Sequence, residues 1–332
     1  MRRTTIKDVA SQAGVSIGTV SAVLNGRDSV NSLTKVRVLE VIEELNYRPV
    51  EAARRRLGTP REKTLGFVVK EIHNPYFADI IVGAQEEALR RGYRLIVMSS
   101  EKIFEHEVDA IRVLVEKDID ALIINPLLAA DGRTDQFDRL IANNIPFVMI
   151  EGLTDGPRAS TVDIDNERGA ATATRYLLDS GHQKIAHLEG PAYSQHAVER
   201  RAGVLSEAPE AIIFPAGATL KEGYHAVLEL LKIEQPDAIL CYNDLVAIGA
   251  MRGLGELELR VPEDVSVVGF DDIEISSFLS VPLTTVGVPR REIGRQAAAI
   301  AVHEIEGPRG TPPERVLLEA ELVLRASTTN RR

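Results

Sequence analysis

At 332 residues with 44% hydrophobic side chains, the chain can build a small head plus one large or two medium buried cores, and its single cysteine excludes a disulfide framework. No apolar run approaches a membrane span, and the basic N-terminus leads into an amphipathic helix rather than an apolar signal region, so a cytoplasmic protein is expected. A formal net charge of −10 repels nucleic acid if spread evenly, so any attraction for phosphate must be local.

Taken in chain order, a first helix starts at Thr5, which can cap it with Asp8 closing a capping box three residues on. Ile6, Val9 and Ala10 repeat at helical spacing. Gly14 gives the next turn its backbone freedom. Ser16 caps a second helix, whose Val20, Val23 and Leu24 face a small core. A third helix is expected from about Asn31 to Asn46, capped by Asn31 or Ser32. Val38, Leu39, Val41, Ile42 and Leu45 form its buried stripe, and Pro49 stops it. This is the helix-turn-helix layout, whose second helix enters the major groove of DNA. The alternative is a small three-helix bundle with another role. Charge argues against that: through Arg61, basic residues such as Arg2, Arg3, Lys7, Arg27, Lys35, Arg37 and Arg48 outnumber the acidic ones. Residues 50–57 are expected to form a short basic helix, and LGTPREK reads as a linker broken by Gly58 and Pro60.

From Thr64 the pattern changes to short apolar runs alternating with helical segments. LGFVV, RLIVMSS, ALIINP and PFVMIE form one series. STVDID, KIAHLEG, AIIFPAG, AILCYND and VSVVGFDD form a second. Such βα alternation signals a parallel sheet covered on both faces. A helix from Pro289 to Glu306 and terminal strands in VLLEAELVLRAS are expected to return the chain to the first unit and then to the second. Two doubly wound units with several crossings place a cleft between them, where small ligands bind.

Ligands in open α/β sheets sit beyond the carboxyl ends of the strands. There the chain carries Asn74, Tyr76 and Phe77 in HNPYF, Glu151 after PFVMI, Asn243-Asp244 after AILCY, and Asp271-Asp272 after VSVVGF. The strand ending at Gly190 leads to a helix with Arg200 and Arg201. Carboxylates, an amide, an arginine and aromatic rings suit a ligand rich in hydroxyls. Taken singly, Asn243, Asp244, Asp271 and Asp272 read equally well as caps and turn formers. Cys241, in an apolar run, reads as a small core residue. Nothing points to catalysis or to a cofactor. His106-Glu107 begins like HExxH, but the fifth position is Ala110. No Cys/His cluster offers a metal site, no GxSxG elbow occurs, and GLGELE at Gly253 lacks the third glycine of a phosphate loop.

These motifs together resemble the LacI/GalR family of bacterial transcription regulators over nearly the full length. The residues that carry the resemblance are TIKDVASQAGVS-x-x-TVS-x-VLN at Thr5–Asn25, YRP at Tyr47–Pro49, NPYF at Asn74–Phe77, VDIDNERGA at Val162–Ala170, GHQKIAHLEGP at Gly181–Pro191, R-x-x-G at Arg200–Gly203, ND at Asn243–Asp244, VPEDVSVVGFDD at Val261–Asp272 and PLTTV at Pro282–Val286. The resemblance implies an all-α head on a periplasmic-binding-protein-like α/β core of two lobes. It implies a homodimer, or a tetramer of dimers, on near-palindromic double-stranded operator DNA. A small-molecule effector, expected to be a sugar or a derivative, would then alter lobe geometry and the hinge helices in the minor groove. Matched effector positions are Tyr76, Phe77, Glu151, Arg200, Asn243 and Asp271, with Asn74 beside them. Matched DNA positions are Ser16, Ile17, Gly18, Thr19, Ser21, Ala22, Asn25 and Thr34, to which Thr5, Tyr47 and the hinge residues Ala53, Arg54, Arg55, Arg56 and Leu57 are added.

The chain departs from the family pattern in three places. Ile17, Gly18 and Ala22 replace longer polar or basic side chains on the reading helix; apolar groups touch thymine methyls but make no bidentate contact to guanine or adenine. Gly18 also weakens the helix by about 1 kcal/mol relative to Ala. In the hinge, Arg56 holds the wedge position and Leu57 comes one residue late, a turn of about 100° around a helix. Either Arg56 reads a narrow A·T-rich minor groove or Leu57 wedges after a local adjustment. Last, GVLSEAPEAIIF after Gly203 leaves little room for a long helix and loop.

The expected division is a head at 1–48, a hinge and linker at 49–61, and a core at 62–332. The core splits into an N-terminal lobe (62–159 and 288–318) and a C-terminal lobe (160–287 and 319–330). The leading function is an effector-controlled transcriptional regulator, expected to be a repressor. A solute-binding protein uses the same lobes but has no need of a basic head. An enzyme on a doubly wound fold lacks its catalytic constellation here. No heptad extension follows Ser327, which leans towards a dimer.

Overall fold

The structure, a computed structural model, describes residues 5–24, 30–45, 63–127, 134–152, 158–308 and 311–331. The head and the core form separate compact units.

In the head, helices α1 (Ile6–Ala13), α2 (Ile17–Leu24) and α3 (Ser32–Glu44) follow the expected caps. The Asp8 carboxylate accepts from the backbone N–H and hydroxyl of Thr5, both at 2.7 Å. Gly14 ends α1 at φ 65°, in the left-handed region that favours glycine. The Thr19 amide donates to Ser16 Oγ at 3.0 Å and the Thr34 amide to Asn31 Oδ1 at 2.8 Å, which starts α2 and α3. Val9, Ala10, Ala13, Val20, Val23, Val38 and Val41 form the core, with Ile6, Ile42 and Leu45 packed against it. Leu39 departs from expectation: it is exposed. It sits one residue, hence about 100°, around the helix from Val38, off the stripe made by Val38, Val41, Ile42 and Leu45. The hinge helix expected at 50–57 lies outside the described residues.

The core begins with β1 (Thr64–Val69), α4 (Pro75–Arg90), β2 (Arg94–Ser99), α5 (Phe104–Glu116), β3 (Ala121–Ile124), α6 (Asp138–Ala142), β4 (Phe147–Ile150) and β5 (Ser160–Ile164). It continues with α7 (Asn166–Asp179), β6 (Ile185–Glu189), α8 (Gln195–Glu207), β7 (Ile212–Pro215), α9 (Leu220–Ile233), β8 (Ala238–Cys241), α10 (Asp244–Glu256), β9 (Ser266–Asp271) and β10 (Thr284–Gly287). Helix α11 (Arg290–Glu306) and strands β11 (Arg315–Leu318) and β12 (Glu321–Val323) complete it. One sheet has the order β11-β5-β4-β3-β1-β2 and the other β12-β10-β9-β8-β6-β7. Pairing is parallel throughout except between β10 and β12. Central strands β1, β3 and β4 are buried along their whole length, whereas edge strand β2 is partly exposed, which is why the former read as unbroken apolar runs.

The lobe boundary needs a correction. Residue 160 was expected to open the second lobe, but β5 pairs with β4 and β11 in the first sheet. The first crossing therefore follows Ile164. STVDID carries the same apolar pattern in either lobe; its partners alone decide its sheet. The chain crosses again after β10 and after β11, as the terminal strands led one to expect.

Helices α4 and α11 cross at glycines in the first lobe. A Cβ on Gly294 would lie 2.0 Å from the Ile80 carbonyl oxygen, and one on Gly83 would lie 2.0 Å from that of Arg291. Backbone cannot yield as a flexible side chain does. Gly294→Ala is expected to cost about 3 kcal/mol in denaturant unfolding, the upper end of ordinary overpacking. A change within experimental error would show that the helices slide apart freely.

Candidate functional site

The exposed face of α2 presents Ser16, Ile17 and Gly18, with Thr19, Ser21 and Ala22 half-buried beside them. Ile17 is 44% exposed and takes no part in the head's core. The hydroxyls of Ser16 and Thr19 lie 2.9 Å apart and bond each other. Thr34 is half-buried at the start of α3, and Thr5 is exposed. Of the other expected DNA positions, Asn25, Tyr47, Ala53, Arg54, Arg55, Arg56 and Leu57 lie outside the described residues.

In the core, strand ends and helix starts bring polar groups together where the lobes meet. Glu151 leaves β4 at φ 59° and is buried. Its carboxylate accepts from Tyr76 Oη at 2.7 Å and Asn125 Nδ2 at 2.7 Å. Lys70 Nζ lies 3.8 Å away, and His196 Nε2 of the second lobe 3.4 Å away. Phe77 packs edge-on to Tyr76, centroids 5.1 Å apart. In the second lobe Arg200, 4% exposed, donates to Asn166 Oδ1 at 2.9 Å and the Tyr242 carbonyl at 2.5 Å. Its guanidinium lies 3.6 Å from the Phe270 ring centroid and 3.6 Å from Asp271 Oδ1. Asp271 ends β9 at φ 113°, and such strain in a non-glycine residue gathers at functional sites.

Two expected residues are bound up locally. Asn74 accepts from the Tyr76 amide and donates to Glu71; Asn243 accepts from the Val246 amide and donates to the Ala218 carbonyl. Both start helices on the rim. Asp244 is wholly buried and accepts from Thr285 Oγ1, Ser276 Oγ and the Ile273 amide. Asp272 pairs with Arg325 at 2.6 Å, and exposed Arg201 lies 3.4 Å from Glu189. The cap reading therefore describes Asn243 alone; Asp244 and Asp272 are held by tertiary contacts, Asp244 by Thr285, Ser276 and Ile273 and Asp272 by Arg325.

Lys70, Asn125, Asn166, His196, Tyr242 and Phe270 join the cluster without having been singled out. Lys70 and Asn125 follow β1 and β3 directly, so the strand-end rule applied to cations and amides would have found them. His196, in the first turn of α8, has no such signal. A cavity of about 430 Å³ opens beside Glu151 and His196, lined further by Asp163, Asp165, Asn166, Glu167, Glu199 and Arg315. Among the described residues no group of His, Cys, Asp and Glu is arranged to hold a metal, and no helix is long and apolar enough to cross a membrane.

Burial raises Tyr76 well above its ordinary value, reinforced by Glu151. Burial likewise pushes Asp271 up to about 8, against the pull of Arg200. Burial acts on Glu151 too, but His196, Lys70, Tyr76 and Asn125 outweigh it and bring it to about 2. His196 is itself pushed down to about 4 by burial, so at neutral pH its ring is uncharged and Lys70 with the two donors sustains the Glu151 carboxylate. The two carboxyls therefore have opposite pH signatures. Glu151, lower when folded, contributes stability that is complete above the ordinary carboxylate range and is lost as pH falls towards its folded value. Asp271, higher when folded, costs stability once pH passes that range, and the cost grows until about pH 8. Asp271→Asn is expected to gain on the parent in thermal melts steadily between about pH 5 and pH 8. An offset independent of pH over that interval would contradict the assignment.

A helix-turn-helix head followed in the chain by a two-lobed α/β core with a polar cleft defines a ligand-responsive DNA-binding regulator. Residues 5–50 match the family model described as bacterial regulatory proteins, lacI family, and residues 174–328 match that of the periplasmic binding protein-like domain. The chain is 37% identical, over 91% of its length and 92% of the relative's, to the HTH-type transcriptional repressor PurR of Vibrio vulnificus (strain CMCP6). Among solved structures, the transcriptional regulator CelR–cellobiose complex has 30% identity and a TM-score of 0.73, covering 98% of this chain and 100% of that one. The Lac repressor dimer bound to operator and the anti-inducer ONPF has 29% identity and a TM-score of 0.73, covering 99% and 100%. The chain belongs to the LacI family. It is a sequence-specific DNA-binding transcriptional regulator with an effector-binding two-lobed core.

Proposed function

We propose that this regulator is a repressor that binds a near-palindromic operator as a homodimer, and that an uncharged, hydroxyl-rich small molecule such as a sugar sets its affinity. The observation that carries the reading is the convergence of Tyr76, Glu151, Arg200 and Asp271, from both lobes, on one cleft. Polar groups converging in a pocket beside aromatic rings suit a ligand with hydroxyls and apolar ring faces. In the structure these groups satisfy one another, so an effector must replace the Tyr76–Glu151 bond with its own hydroxyls. Phe77, Asn74 and Asn243 would shape the rim. The cavity beside Glu151 and His196, whose lining does not include Tyr76, Arg200 or Asp271, carries Asp163, Asp165, Glu167 and Glu199 against Arg315, a balance that disfavours phosphorylated ligands there. The names of solved relatives agree with this class: one is a complex with cellobiose, and another, from Enterococcus faecium, has bound ribose.

The head is assigned to operator DNA through Ser16, Ile17, Gly18, Thr19, Ser21, Ala22 and Thr34, with Thr5, Asn25, Tyr47 and the hinge residues Ala53–Leu57 completing the surface. A dimer is supported by the relative named as a dimer on operator. The cytoplasm is the compartment such a regulator needs. A thermal-shift screen of sugars, sugar phosphates and nucleosides, followed by operator binding with each hit, tests the reading. Stabilisation by uncharged sugars that also alters operator affinity is expected. Stabilisation by phosphorylated compounds alone would overturn the ligand class.

A further inference from the structure

We propose that Arg290 positions Asp271 on the cleft and ties it to helix α4, making it the link through which the ligand-facing carboxyl of one lobe moves the ligand-facing helix of the other. This rests on the reading of the cleft as the effector site.

Arg290 opens α11, just after the crossing from the second lobe. Its side chain is only 11% exposed. Nε and Nη2 grip Asp79 Oδ2 at 3.2 and 2.9 Å, and Nη1 donates to the Asp271 carbonyl. Asp79 sits in the first lobe on α4, three residues after Tyr76, which holds Glu151. Asp271 ends β9 in the second lobe, its carboxyl beside Arg200. The route therefore runs from Glu151 to Tyr76, along α4 to Asp79, and through Arg290 and Asp271 to Arg200, and it changes lobe at the Arg290–Asp271 bond.

The backbone of Asp271 explains why a tether is needed. At φ 113° the residue is held in a region that L side chains rarely adopt, and such a state persists only where its surroundings over-determine it. Its carbonyl is held by the Val288 amide at 3.4 Å and by Arg290. Neighbouring Arg291 also reaches Asp79, at 3.3 Å, but is 55% exposed, and an ion pair so open to water contributes little. Arg290 alone joins Asp79 to the second lobe among these contacts. Its planar fork meets the carboxylate and the carbonyl at once; a lysine, a point charge on a flexible stem, serves one or the other. A ligand that turns Asp271 must therefore pull on α4, and a shift of α4 must disturb Asp271.

Double electron–electron resonance on the full chain reads this directly. Spin labels are placed through Lys117→Cys in the first lobe and Lys232→Cys in the second, both exposed; native Cys241 is buried. With the labelled chain diluted in excess unlabelled chain, so that a dimer carries one labelled subunit, the parent is expected to give one narrow distance distribution. Arg290→Ala and Arg290→Lys are each expected to raise the longer-distance fraction by about tenfold, the factor carried by a lost charge-assisted hydrogen bond. Asp79→Ala is expected to add nothing further to Arg290→Ala, which a merely local packing defect would not predict. Distributions that match the parent in both Arg290 variants, or full restoration by lysine, would overturn the proposal. Should the alanine variant not fold, the lysine variant decides. Operator binding by the unlabelled parent is measured alongside: its absence would sink the regulator reading while leaving the lobe result standing.

Discussion

Replacing Arg200 with alanine is expected to lower the unfolding free energy by about 3 kcal/mol and to abolish the effect of ligand on operator affinity. The size follows from what the guanidinium leaves behind. Asn166 Oδ1 and the Tyr242 carbonyl lose their donor, Asp271 loses its nearest cation, and the Phe270 face loses a stacked partner. At 4% exposure, water cannot replace these contacts cheaply. Lysine is expected to rescue little, because it lacks the planar fork that meets several acceptors at once. Urea unfolding gives the first quantity and operator titration with an active sugar gives the second. A loss below about 1 kcal/mol, the worth of one ordinary hydrogen bond, would mean that the surrounding groups repartner.

Operator affinity is expected to fall by about a thousandfold between 50 and 200 mM salt, the response of a protein that neutralises several phosphates. The reason lies in how little α2 offers to base edges. Its sequence, Ile17–Leu24, contains no charged side chain, and its leading hydroxyls, Ser16 and Thr19, bond each other. Ile17 is exposed, and as a proposed base-facing residue its expected partner is a thymine methyl group. Affinity is then expected to come largely from phosphates, for which exposed Lys7, Lys35 and Arg37 and the arginines of the hinge sequence are the proposed contacts. Replacing thymine with uracil at the half-site position facing Ile17 is expected to weaken the parent and to leave Ile17→Ala unaffected. An affinity nearly flat with salt would place the binding energy in base contacts that α2 does not display.

The fold was legible wherever a periodic pattern and a cap coincide. Thr5 with Asp8, Gly14, Ser16 and Asn31 mark the head because each satisfies or frees a particular backbone group. The βα alternation gave the two sheets for the same reason: strands buried on both faces read as apolar runs. What the pattern does not hold is partnership. STVDID lies in the first lobe because it pairs with β4 and β11, and Leu39 is exposed because a stripe only part of the way around the helix is buried. In the cleft, Tyr76, Phe77, Glu151, Arg200 and Asp271 were readable from their place after strands or in a matched motif. Asn243 and Asp244 stand at an equally good strand end, yet Asn243 caps α10 and Asp244 is spent on Thr285, Ser276 and the Ile273 amide. His196 reaches Glu151 across the lobes, and only the tertiary structure brings a helix start in one lobe against a strand end in the other.

The measurement that bears most directly on the account is operator titration by the full chain and by a chain lacking residues 1–57, each with and without a sugar that stabilises the core. The account predicts that the full chain binds with an affinity the sugar changes, while the shortened chain binds the sugar but not the DNA. Operator binding that survives the deletion, or that no core-binding sugar alters, would contradict it.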